Sequence, residues 1–302
     1  TSRRQRQMCI RDRLIIEMIG AALLAPVFCN DLGFAKGLWY SLFHSISAFC
    51  NAGFDLFGIK EPFSSLTFYH SNIYLNIIIM LLIITGGIGF LVWGDIGTHK
   101  HRIRRYSLQS KVVLMTSAVL IVLPALYFFF CEYDHETIHD RTIHSLFQSV
   151  TTRTAGFNTT DLAAMDESGT AIMVILMLIG GSPGSTAGGM KTATFAVLFL
   201  SAITVFSRRN DVQCFKRRIS DETVRSAGAV LFMYLVLFFT SGVIISRVEN
   251  LPLLTCLFET SSAIGTVGLS LGITNGLSAI SRVILMILMF FGRVGGLTLI
   301  YA

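Results

Sequence analysis

The stretch Phe147-Gln148-Ser149-Val150-Thr151-Thr152-Arg153-Thr154-Ala155-Gly156-Phe157-Asn158 decides how this chain reads. It is short, semi-polar and ends near a glycine, yet apolar runs of membrane length lie on both sides. Two other stretches share its form. Phe43-His44-Ser45-Ile46-Ser47-Ala48-Phe49-Cys50-Asn51-Ala52-Gly53-Phe54-Asp55 lies upstream, and Phe258-Glu259-Thr260-Ser261-Ser262-Ala263-Ile264-Gly265-Thr266-Val267-Gly268-Leu269-Ser270 downstream. Each predicts a Ser/Thr-rich half-helix followed by an x-small-Gly-apolar turn. The three glycines stand roughly a hundred residues apart, too far for a solenoid unit and suited to a duplicated membrane module.

Composition agrees. Of 302 residues, 53% are hydrophobic and only 14% charged, against about 25% charged in a soluble domain. The bilayer is the expected solvent. The net charge of +6 then reflects loop placement, and nucleic acid is not an expected partner. Cys9, Cys29, Cys50, Cys131, Cys214 and Cys256 show neither a CxxC pair nor a metal spacing, so they read as isolated thiols. No cofactor is expected in the chain.

Outward from the three turns, the chain divides into a lead and three modules. Residues 1–13 carry five arginines and no apolar run, so they are not a signal peptide; they read as a basic lead of non-native origin. Residues 14–99 hold an apolar helix at Leu14–Phe28, a half-helix at Leu38–Phe49, the first turn and a spanning run at Asn72–Trp93. Residues 100–206 hold Val112–Phe130, the half-helix Thr142–Thr152, the second turn and a run that breaks in the middle. Its halves, Ala171–Ile179 and Ala193–Phe206, reach only about 14 and 21 Å, so neither crosses a core of about 30 Å alone. Residues 207–302 hold Val230–Ser246, the half-helix Pro252–Ala263, the third turn and Val283–Tyr301, which reads as cut short.

Charge sets the orientation. Lys100, Arg102, Arg104, Arg105 and Lys111 crowd one connector, and Arg208, Arg209, Lys216, Arg217, Arg218 and Arg225 the other. The linkers beside the turns are acidic instead, with Asp134, Glu136, Asp140, Asp161, Asp166 and Glu167. By the positive-inside rule the connectors are cytoplasmic and the turns open outward. Non-helical backbone at membrane depth is tolerated only where protein covers it or water lines it. A half-helix entering from outside aims its partly negative C-terminus at the membrane centre. The glycine turn beyond it can aim carbonyls at an axis, because glycine adopts backbone angles closed to other residues. Several such turns around one axis would replace the water shell of a dehydrated cation.

Two enzyme-like matches carry less weight. Gly180-Gly181-Ser182-Pro183-Gly184 fits the serine-hydrolase elbow, but that elbow needs a strand before it and a His–acid pair. An intramembrane serine hydrolase is the competing class. Gly184–Thr192 approaches a phosphate loop, but Met190 stands where the glycine before lysine is required. Nucleotide, if involved, is expected on a partner.

Taken together, SISAFCNAGFDL (45–56), QSVTTRTAGFNT (148–159), SSAIGTVGLSLGIT (261–274), GGSPGSTAGGMKT (180–192) and FFGRVGGLTL (290–299) resemble the Trk/Ktr/HKT superfamily of potassium transporters. The nearest resemblance is to its Ktr-type membrane subunit, and it covers residues 14–302. It implies an all-α integral membrane fold in which four helix–P-loop–helix modules surround one pseudo-fourfold pore. The three modules here match the second, third and fourth by order, so the first and the tail of the last helix are expected to be missing. Gly156 also follows Phe147 by one residue fewer than Gly53 follows Phe43 or Gly268 follows Phe258.

The resemblance further implies a selectivity filter of Asn51-Ala52-Gly53-Phe54, Thr154-Ala155-Gly156-Phe157 and Thr266-Val267-Gly268-Leu269. Backbone carbonyls of Gly53, Gly156 and Gly268 would hold K+, with Gly268 at the tightest point. Gly180-Gly181-Ser182-Pro183-Gly184-Ser185-Thr186-Ala187-Gly188-Gly189 would form an intramembrane gate, about half a membrane from the filter. Arg293 and Lys191 would be pore charges, and Arg153 a structural donor to filter carbonyls. The implied activity is potassium uptake across a bacterial plasma membrane, with Na+ as candidate co-ion; an uncoupled monovalent cation channel is the alternative. The implied partners are lipid, a second copy in a homodimer, and a cytoplasmic nucleotide-binding subunit.

Overall fold

The computed structural model describes residues 2–59, 63–208, 211–215 and 217–294, with the side chains of 2–9 left aside. The chain forms three successive helical units. The first comprises α1 (Ser2–Leu32), α2 (Phe34–Phe49), α3 (Ile73–Ile88) and α4 (Phe90–His99). The second comprises α5 (Leu108–Tyr127), extended by a π-helical turn at Phe128–Glu132, then α6 (Ile138–Thr151), α7 (Glu167–Leu178) and α8 (Thr192–Phe206). The third comprises α9 (Asp221–Glu249), α10 (Leu253–Gly265) and α11 (Ala279–Val294). Strands β1 (Gln213–Cys214) and β2 (Arg217–Arg218) pair antiparallel in the basic connector between the second and third units.

Length separates the helices into two kinds. Ile10–Leu32, Leu108–Glu132 and Asp221–Glu249 are long and apolar enough to cross a bilayer, and each opens a unit. The half-helices α2, α6 and α10 have 16, 14 and 13 residues. At 1.5 Å per residue that is roughly 20–24 Å, too short to span. Side-chain caps start several helices where the chain enters from a loop. Asn72, Ser107, Thr137 and Ser220 accept the N–H groups of Leu75, Ser110, Asp140 and Thr223, which satisfies donors that the helix itself leaves open.

Two apolar cores back the half-helices. One gathers Phe28, Phe49, Phe57, Phe147 and Phe157; the other gathers Phe128, Met173, Phe238, Phe258 and Ile264. Phe147 and Phe258, the leading aromatics of their repeats, are fully buried. Each fixes its half-helix in the apolar core around it.

The run Asn72–Trp93 does not continue as one straight span. It bends by 95° between α3 and α4. Gly89 makes the corner with φ 95 and ψ 150, a conformation available without strain only to glycine. The Phe90 N–H, which has no helical acceptor at the corner, donates to Gly184 O at 3.1 Å. The run Val283–Tyr301 is helical through Val294, and its last residues lie outside those described.

Small residues permit close backbone contact between helices. A Cβ at Gly86 would collide with the Phe49 carbonyl at the end of α2, and one at Gly292 on α11 would collide with the Ile264 carbonyl near the end of α10. Phe49 and Ile264 occupy equivalent places, each four residues before a turn glycine. Gly86→Val should therefore cost about 3 kcal/mol or more through overpacking against backbone. Immunoblotting of membranes should show the variant strongly depleted.

Candidate functional site

The three turns are built alike. In each, the residue two before the glycine has positive φ: Asn51 at 50, Thr154 at 75 and Thr266 at 53. The glycines follow at 69, 83 and 94 for Gly53, Gly156 and Gly268.

A hydroxyl residue four places after each leading Phe closes the turn. Ser47 O, Thr151 O and Ser262 O accept the N–H groups of Ala52, Ala155 and Val267 at 2.9, 3.0 and 2.8 Å. The hydroxyls add a second tie. Ser47 Oγ donates to Phe54 O at 2.8 Å and Thr151 Oγ1 to Phe157 O at 2.6 Å, whereas Ser262 Oγ accepts from Gly268 N at 3.2 Å. Because the Phe-to-hydroxyl spacing is the same in all three, the residue that the middle repeat lacks is lost from the tip. The shorter spacing shows in the sequence by itself, whereas the hydroxyls are marked there only by their constant offset from Phe.

The turns meet. A Cβ on Gly53 would strike the Ala155 carbonyl, and a Cβ on Gly156 would strike the Val267 carbonyl. A Cβ on Gly268 would find only Gly156 Cα, at 3.9 Å. Crowding by an added Cβ is thus greatest at Gly53 and Gly156. All three glycines line one cavity of about 300 Å³. Asp55, Asn158 and Ser270, each two residues beyond its glycine, line the same cavity and give it a polar rim. Asn51, Thr154, Ala155, Phe157, Val267 and Leu269 are buried; Ala52 and Thr266 are partly so, and Phe54 is exposed.

Arg153 does not reach these carbonyls. It is buried and donates to Ser117 Oγ on α5 at 3.2 Å and to Ser117 O at 3.5 Å. The carbonyl beyond the middle glycine is already taken by the Thr151 hydroxyl, and the shortened tip leaves Arg153 directed at the spanning helix.

The break between α7 and α8 is a closed loop rather than an extended strand. Gly180 N donates to Met190 O at 2.8 Å and Thr192 N to Gly181 O at 3.0 Å, so the neck is shut. Pro183, Gly184 and Ser185 form the end facing the corner between α3 and α4, where Ser182 N and Thr186 N bond Gly87 O and Gly86 O of α3 at 3.0 and 3.4 Å. On the far side Gly189 N bonds Gly292 O of α11 at 3.2 Å. The loop therefore bridges the first and third units.

Its contact with the turns is direct. Thr186 Oγ1 accepts from Asn51 Nδ2 at 2.9 Å and lies 3.0 Å from Phe49 O, while a Cβ on Gly188 would strike Thr266 Oγ1. The expected separation of half a membrane between loop and turns is not there, because the half-helices carry the turns down to the loop. Two cations end on adjacent loop carbonyls: Arg293 Nη1 on Thr186 O and Lys191 Nζ on Ala187 O, both at 2.7 Å. Carbonyl partners of this kind are what a cation at membrane depth requires. Ser182 is buried and its hydroxyl meets Thr192 Oγ1 at 3.1 Å, which ties the neck of the loop.

A family model described as TrkH, cation transport protein, matches residues 9–302. The potassium/sodium uptake protein NtpJ of Enterococcus hirae is 38% identical, with 97% of this chain and 66% of the relative covered. The Ktr system potassium uptake protein B of Bacillus subtilis is 37% identical, covering 95% of this chain and 64% of the relative. Among solved structures, the potassium transporter TrkH from Vibrio parahaemolyticus matches with a TM-score of 0.75 at 18% identity, covering 95% of this chain and 61% of that one. That likeness is one of fold. The chain spans a little under two thirds of the length of these relatives.

Proposed function

The chain belongs to the TrkH family of cation transport proteins, and we propose that it carries the filter and gate of a bacterial potassium-uptake protein. It is a membrane protein of a transporter family, and the serine-hydrolase alternative is set aside with that membership. The observation that carries the proposal is the convergence of Gly53, Gly156 and Gly268, each at positive φ, on one cavity. Backbone carbonyls at such turns replace hydration water around a monovalent cation, so no titratable side chain is needed for coordination. K+ is the proposed cargo. Na+ is the proposed co-ion, and an uncoupled cation channel is the outcome if sodium proves irrelevant.

The loop 180–189 is the proposed gate, held shut from below by Arg293 and Lys191. One relative bears the name of a Ktr system, and here a cytoplasmic nucleotide-binding subunit and a second copy of the chain are proposed as partners. Such a subunit would act on the basic connectors. Rubidium uptake by the full-length protein in a potassium-uptake-deficient bacterium tests the reading, with and without external sodium. Uptake that saturates, and that competes with K+, is expected. Arg293→Gln should raise basal uptake severalfold by freeing the Thr186 carbonyl, since a hydrogen bond to a charged group is worth about 1.5–3 kcal/mol. A wild type that moves no rubidium would overturn the proposal.

A further inference from the structure

The residue directly after each leading Phe is polar: His44, Gln148 and Glu259. Equivalent by repeat, they differ in what they touch. His44 Nδ1 meets Tyr40 O, one turn back on its own helix, and the ring packs among Phe28, Phe57 and Phe157. Gln148 Nε2 meets Met173 Sδ at 3.0 Å on α7. Both therefore look backward into the apolar cores.

Glu259 looks forward. It is 4% exposed. Its Oε1 accepts Ser270 Oγ at 2.6 Å and the Leu271 N–H at 3.1 Å, and its Oε2 accepts Thr274 Oγ1 at 2.9 Å. Ser270 and Thr274 line the cavity onto which the three glycines converge, and Ser270 follows Gly268 by two residues. The carboxyl group thus grips the loop that leaves the third turn. It has only hydroxyls and one N–H between itself and the cavity. No Lys or Arg forms an ion pair with it among the described residues; Arg282, on the adjoining helix α11, spends its guanidinium on Asn275 O. Asp55, which lines the cavity directly, caps Phe57 N and also lacks a cation partner among those residues.

We infer that Glu259 is a specificity-determining residue of the outer mouth. Its side chain sets the position of the loop 269–274 above Gly268, and its negative charge raises the local concentration of cations at the entrance. The repeat supplies the contrast. A merely structural polar group at this position is served by His or Gln, as in the first two units, whereas only the third unit places a carboxyl group behind cavity-lining hydroxyls. A carboxylate facing a low-dielectric cleft attracts a cation over distances at which the same charge in bulk water would be screened.

The inference rests on reading the turns as a cation filter. Rubidium uptake by the full-length protein, measured against external concentration, tests both separately. Glu259→Gln keeps shape and removes charge. It should raise the half-saturating rubidium concentration about tenfold, and more at low ionic strength than at high, with membrane abundance unchanged. Glu259→Asp, which keeps the charge, should stay closer to wild type than Glu259→Gln. Thr274→Val removes one anchor and leaves the charge; it should widen the tolerance for sodium over rubidium while affinity moves little. That variant carries the test if Glu259→Gln fails to accumulate. Glu259→Gln with wild-type affinity, an equal shift in Glu259→Asp, or unchanged ion preference in Thr274→Val would each overturn the assignment. An inert wild type strikes instead at the transport reading itself.

Discussion

Replacing Gly156 with serine should reduce cation uptake about a hundredfold or more while a folded protein remains in the membrane. Gly156 has φ 83, and an L-residue held there pays about 1–2 kcal/mol of backbone strain. Its added Cβ would also overlap the Val267 carbonyl of the neighbouring turn, so that turn must shift as well. Gly156 is the middle member of the row, with Gly53 packed on one side and Gly268 on the other. A displacement there disturbs carbonyls in all three turns at once. A combined penalty of about 3 kcal/mol in the conducting geometry corresponds to roughly two orders of magnitude in rate. Gly268→Ala should be milder, because its Cβ would meet only Gly156 Cα at 3.9 Å. Rubidium influx in intact cells, normalised to membrane abundance, checks the ordering. Equal activity of Gly156→Ser and wild type would remove the turns from the conduction path.

Deleting Ser182–Gly188 should raise basal flux at least tenfold and weaken its dependence on a regulatory partner. On the sequence alone, the same deletion would be expected to spare ion preference, since gate and filter were placed far apart. The tertiary contacts reverse that second half. Thr186 Oγ1 bonds Asn51 of the first turn, and Gly188 lies against Thr266 of the third. Removing the loop therefore takes a partner from Asn51 and unpacks Thr266, and the filter should relax, admitting sodium more readily. Thr186→Val tests whether the two effects are coupled. It preserves shape while breaking the hydroxyl's ties to Asn51, Phe49 and Gly86, each worth about 1 kcal/mol net. Its signature should be a rise in flux together with a loss of potassium-over-sodium preference. A rise in flux with preference intact would show that loop and turns act independently despite touching. Reduced flux in a folded deletion protein would mean that the loop is not a gate.

The membrane class, the half-helix before each turn and the interrupted span between α7 and α8 were all legible without coordinates. The reason is that the bilayer acts on local composition. Backbone groups in hydrocarbon must be satisfied within the segment or by nearby protein, so an apolar run, a hydroxyl-rich half-helix and a Gly/Ser/Pro break each declare themselves within a few residues. Glycine at 53, 156 and 268 was legible for the same local reason, because positive φ restricts the residue that can stand there.

What the tertiary structure decided depends on residues far apart in the chain. The Asn72–Trp93 run reads as one straight helix, since nothing in its composition says that the Phe90 N–H has an acceptor waiting on Gly184. The 95° corner exists because that distant carbonyl completes it. Arg153 looks like a filter donor by adjacency, yet its partner is Ser117 on another helix. The crowding order of the three glycines follows from which turn stands next to which, and spacing within one turn carries no trace of it. Glu259 is the same case. As a letter in a half-helix it matches His44 and Gln148, and only the loop folded back over it gives its carboxyl group three donors and a place beside the cavity.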